Sequence, residues 1–146
     1  MRFQKGQSVV EFALVLPIFL VLFFGIFYVG MIFADYMTLS NVARSSAREA
    51  AMITSSADAA NSYQSVRMKY DHVELPLDAF TWNASTDYFK ITYDSTNQNV
   101  QVNINAPLNT EGASIAHTFY KLIGNTGKDF SLNITYTMYS EYKPTK

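Results

Sequence analysis

Read as apolar and polar positions, the chain changes character three times. From Phe12 to Ala34 it is uninterruptedly apolar, with no charged side chain. At ~1.5 Å per helical residue such a run crosses a hydrocarbon core about 30 Å thick. Lipid offers the backbone no hydrogen-bond partners, so the run must be helical there, and Pro17, Gly25 and Gly30 are tolerated in a helix of that kind. One carboxylate, Glu11, stands immediately before the run and five positions after Gly6.

The helical period continues past the apolar run. Residues 35–54 contain neither Gly nor Pro, and Met37, Ser40, Ala43/Arg44, Ala47, Ala50/Ala51 and Thr54 recur every three or four positions. Ala is the best helix former, and small side chains let a second helix come close, so Ala43, Ala47, Ala50 and Ala51 read as a helix–helix packing stripe. Span and stalk together predict one helix of nearly 50 residues, on the order of 70 Å long. A helix of that length without an internal cap reads as one that packs lengthwise against copies or partners; the plainer alternative is a tether ending at the membrane surface. Ser55 followed by Asp58 resembles a capping box and restarts a shorter helix over about 57–68.

After Tyr70 the period becomes two. His72, Glu74 and Leu75-Pro76 read as a short edge strand, since Pro cannot donate within a central ladder. Phe89, Ile91 and Tyr93 alternate with polar neighbours in 88–94, as do Val100, Val102, Ile104 and Ala106 in 99–106, and Phe130, Leu132, Ile134, Tyr136 and Met138 in 130–140. This is the pattern of an antiparallel sheet with one buried and one wet face. Asp94 to Asn99 closes the first two strands into a hairpin. A helix over about 112–123, stopped by Gly124, is expected to cover the apolar face, with the first hairpin strand central. The predicted fold is α+β: a long N-terminal helix, half transmembrane and half stalk, carrying a small head with a three- to four-stranded antiparallel sheet and a covering helix. The boundaries are 1–6, 7–34 for the span, 35–68 for stalk and second helix, and 69–146 for the head.

Charge sets the orientation. Arg2 and Lys5 precede the span with no acid, which keeps that end cytoplasmic and puts the head outside. A cleaved secretory signal needs a shorter apolar region and a small-x-small site, whereas a cut after Ala34 would set Ile32 at the small position. The net charge of −1 gives no pull toward nucleic acid, and the absence of Cys removes disulfides and thiolate metal sites. His72 and His117 lack metal-ligand spacing, Asp87, Asp94, Asn97 and Asn99 miss the Ca²⁺-loop spacing, and Gly124 to Lys128 fails the phosphate-loop pattern. The sequons at Asn83 and Asn133 are pattern matches alone. Lys90 with Tyr88 and Tyr139 reads as an ordinary wet sheet face before a stacking surface. With no convergent acid, base and nucleophile, the chain is expected not to be an enzyme and to need no cofactor.

Glu11 either caps the helix, favoured by the positive N-terminal end, or awaits a cation. A cut after Gly6 would create that cation, an α-amine at Gln7, on the chain itself or on a neighbour. In pattern, KGQSVVEFALVLP followed by NVARSSAREAA resembles the TadE-like family, pilin-like proteins of the tight-adherence branch of type IV pilus systems; Lys5, Gly6, Glu11, Phe12, Ala13, Leu14 and Pro17 carry the likeness, which extends over about 5–52.

The resemblance implies a substrate of a membrane prepilin peptidase that reads Lys5, Gly6, Glu11 and Phe12 and cuts after Gly6. Loss of Arg2 and Lys5 with the leader takes the formal charge from −1 to −3. It further implies other pilins or pseudopilins and an inner-membrane assembly platform as partners, with lipid around the helix before assembly and the cell surface or pilus as destination. Major pilins of this branch are very short, so a chain with a full head is expected to be a minor pilin or pseudopilin, in assembly or tip adhesion. Pro17 removes one backbone hydrogen bond and is expected to kink or loosen the helix. The rival reading is a bitopic, membrane-anchored binding module that never polymerises.

Overall fold

A computed structural model describes residues 3–53, 59–109, 117–118, 121 and 130–140. Helix α1 (Phe3–Ala51) is continuous over 49 residues, and Pro17 lies within it without interrupting it. It ends as predicted for a helix running out of i+4 partners: Met52 N donates to Glu49 O and Ile53 N to Ala50 O, a tighter last turn. Helix α2 (Ala59–Lys69) follows, close to the expected 57–68. Strands β1 (Phe89–Asp94), β2 (Asn99–Pro107) and β3 (Ser131–Tyr139) form one antiparallel sheet.

The alternation read from sequence is the alternation in burial. Phe89, Val100, Val102, Ile104 and Ala106 are fully buried, while Lys90, Gln101, Asn103 and Asn105 face solvent. Asp94 organises the hairpin turn, its carboxylate accepting from Thr96 N at 2.9 Å and Asn97 Nδ2 at 2.6 Å. Those bonds hold its carboxyl below the ordinary carboxylate value, with the Asn97 side chain the largest influence.

Two expectations about the sheet are corrected. The order is β1-β2-β3, so β2, not the first hairpin strand, is central. β2 carries the longest apolar alternation, and the centre of the sheet is where both ladders and a covered face bury it most completely. The expected edge strand at 72–76 is absent. Leu77 N and Ala79 N turn instead to a side chain of α1, and the nearest ladder-like contact is the isolated antiparallel pair Phe80–Leu108.

The expected covering helix at 112–123 lies outside the described residues apart from His117, Thr118 and Lys121, which are helical. The apolar face of β2 and β3 is covered by the stalk half of α1. Ala43 and Ala47 are 0% exposed and Ala50 1%, within the core that includes the sheet; Ala51 is half-buried. The neighbour filling the space beside that stripe is therefore this chain's own head. Ala47→Leu adds three carbons where there is no room and is expected to lower stability by about 1–3 kcal/mol, whereas Met37→Leu on the exposed side should be near neutral. Thermal unfolding of the full chain in detergent checks the pair.

Candidate assembly helix and its junction with the head

Along α1 the surroundings change abruptly at Met31. Before it, Val9, Phe12, Leu14, Ile18, Phe19, Val21 and Ile26 are all more than half exposed, a long apolar surface. From Met31 onward one stripe is sealed: Met31 1%, Asp35 0%, Leu39 0%, then Val42, Ala43, Ser46, Ala47 and Ala50. The spacing is that of a helix face. The uncovered part, 6–30, is ~37 Å long, enough for a hydrocarbon core. The helix is long and apolar enough to cross a membrane.

At the head of the uncovered part, Gln7 Nε2 donates to Glu11 Oε1 at 3.3 Å across one helical turn, both side chains exposed. A Cβ built at Gly6 would meet nothing within 4 Å. Packing inside this chain therefore places no demand for glycine there, nor at Gly25 or Gly30, which are equally open. Phe12 is 65% exposed beside Glu11.

The junction rests on a residue that the sequence reading passed over. Asp35, the first residue after the apolar run, is fully buried. Its Oδ1 accepts from Leu77 N at 3.2 Å and its Oδ2 from Ala79 N at 2.7 Å. Asp78, between those donors, takes φ 50, the left-handed region that lets both N–H groups point the same way. Burial pushes the Asp35 carboxyl above its ordinary value; the N–H groups of Ala79, Leu77 and Phe80 pull it back, and Asp78 adds to the upward push. The signal was present in the chain, since Asp35 lies four residues from Met31 and from Leu39 on the stripe that is buried.

Higher up, Glu49 clasps the end of α2, accepting from Lys69 Nζ at 2.8 Å and Tyr70 OH at 3.2 Å. Ser140 Oγ donates to Ala51 O at 3.2 Å and so ties the end of β3 to the top of α1. Together with Asp35 these contacts fix the head at both ends of the stalk.

Residues 6–48 match the family model described as TadE-like protein. The TadE-like segment takes in the whole uncovered helix and most of the stalk, Asp35 included, and stops short of the head. Neither the curated proteins nor the solved structures yield a match to this chain. Of the residues expected to act together in the TadE-like segment, the structure places Gly6, Gln7, Glu11 and Phe12 on adjacent turns of one exposed helix end. The other residues weighed from sequence are scattered. His72 lines a cleft of about 570 Å³ with Asp71, Glu74, Asp78, Phe80 and Trp82, Lys90 lies on the far side of the sheet, and Tyr139 OH donates to Gln98 Oε1 at 2.9 Å.

Proposed function

We propose that this chain is a non-enzymatic pilin-like subunit of a Tad-type pilus, acting as a minor pilin or pseudopilin in assembly or at the tip. A prepilin peptidase removes residues 1–6, leaving Gln7 as the mature N-terminus. The subunit waits in the cytoplasmic membrane with its N-terminal end inside and its head outside. The assembly platform then draws α1 out of lipid into a bundle with other pilins.

The observation that carries this reading is the division of one helix into two environments. Residues 36–51 spend their apolar face on their own head, while most of the apolar side chains over 6–30 are exposed. A surface like that needs lipid or other helices, and moving from one to the other keeps it out of water. The glycine at position 6 and the acid at position 11 then have a use that internal packing does not give them.

N-terminal sequencing of the mature protein from its native membrane tests the reading: Gln7 as first residue is expected, and an intact Met1 would return the chain to a plain anchor. Gly6→Leu projects into open space and should leave the head's stability unchanged while the leader stays attached. Immunoblotting beside wild type checks it, and normal trimming of that variant would remove Gly6 from the recognition site.

A further inference from the structure

The two flanks of the stalk and head carry opposite charge. Arg44 and Arg48 are exposed one turn apart on α1, and the Arg44 guanidinium lies 5.9 Å from the ring of Tyr136 in β3. That places Arg44 on the β3 side, with Arg48 one turn further along the exposed surface of α1. On the other side, α2 packs beside β1, with Arg67 Nη1 reaching Phe89 O at 3.5 Å. From the end of α2 the chain descends from the level of Glu49, where Tyr70 is held, to the level of Asp35, where Leu77 and Ala79 are held. That descent carries Asp71, Glu74 and Asp78 around the cleft, without a Lys or Arg among its lining residues.

Among the described residues the one ion pair is Lys69 with Glu49, and neither the two arginines nor the three acids form one with another described residue. A net charge of −1 thus conceals a cationic pair on α1 and an acidic run over 71–78 that follows Arg67 and Lys69 of α2. Complementary patches on opposite sides of one molecule make a head-to-tail contact, which repeats without closing unless a rotation happens to close it.

We propose that the Arg44–Arg48 flank docks against the Asp71–Glu74–Asp78 flank of a second copy of this chain, side by side with the two long helices in the same direction. This rests on the filament reading above and adds to it that copies stand next to one another. The acids span the levels of Asp35 to Glu49, so an axial offset between neighbours of up to about 20 Å still brings the flanks together. Charge of this kind sets register and partner choice, and it weakens with salt.

The test uses the absence of native cysteine. Two tagged full-length versions are co-expressed with the assembly system, one with Asn41→Cys beside the arginines, the other with His72→Cys beside the acids. Oxidation of assembled material should cross-link the 41/72 combination and neither the 41/41 nor the 72/72 combination. Adding Arg48→Glu to the first copy is expected to cut the cross-linked yield by about tenfold or more, and adding Glu74→Arg to the second copy should restore it. Recovery by the double reversal is a readout that a folding defect does not produce. Equal cross-linking in all three combinations, or no response to the reversals in normal filaments, overturns this interface and leaves the filament reading standing. Wild-type protein that enters no filament overturns both.

Discussion

Asp35→Ala is expected to loosen the head from the helix and to cost the full-length protein roughly 3 kcal/mol near pH 4, since two buried N–H donors lose their acceptor at once. Those donors cannot turn to water without opening the Met31–Leu39 packing, and the left-handed backbone at Asp78 is left with the bonds that Asn109 donates to Asp78 O and Ala79 O. Asp35→Asn keeps the shape but aims an amide N–H₂ at one of the two donors, so most of the loss should remain. The chain's single tryptophan, Trp82, packs 5.4 Å from Phe89 and reports the folded head by its fluorescence in detergent-solubilised full-length protein. A loss under about 1 kcal/mol would mean that the turn is held by packing alone.

The same carboxyl predicts a pH dependence of unusual sign. Its value in the folded protein is raised, with desolvation the largest cause. A raised folded value means that the contribution is fully present below the unfolded value of about 4 and is lost as pH rises through the folded value. The stability advantage of wild type over Asp35→Asn should therefore shrink as pH is raised from about 4 toward neutrality, which denaturant melts at a series of pH values would resolve. An advantage that grows over that range would show the opposite shift.

The second large effect is expected at the other end of the helix. Glu11→Leu should leave membrane insertion and the fluorescence of the head unchanged, because the Glu11 side chain is exposed and its hydrogen bond is to Gln7, one turn away on the same helix. Incorporation into filaments should fall by two orders of magnitude or more. After cleavage the Gln7 amine stands ~6 Å along the helix from Glu11. In lipid its charge can remain at the headgroups, but in a bundle of apolar helices it must be neutralised, and removing one partner of a buried pair costs about 3–5 kcal/mol. Quantitative immunoblotting of sheared filaments against the membrane fraction checks this. Incorporation at wild-type level would end the pairing role of Glu11 and leave it as a helix-end acid.

These two acids, 24 positions apart on one helix, show what kind of information was legible in the chain. Glu11 could be found from sequence because its partner is nearby and its oddity is local, a charge at the edge of an apolar run. Asp35 is just as close to that run, yet its partners come from residues 77–79, and no pattern around position 35 names them. The alanine stripe shows the same limit. Its small residues announced a close approach, but whether a foreign helix or the chain's own sheet makes that approach depends on where the head folds back.

By itself the sequence determined whatever depends on neighbours along the chain. That covers the continuous helix from its uninterrupted 3.6 period, the three strands from their alternation in two, the hairpin from Asp94 to Asn99, and the division into a long helix and a small head. The tertiary structure alone decided that β2 is central, that 72–76 forms no strand while Leu77 N and Ala79 N just beyond it turn to Asp35, and that the stalk's buried face belongs to its own sheet. The physical reason is that periodicity states which face an element will bury, while the partner for that face is selected by contacts across 40 or more residues, which local pattern does not encode.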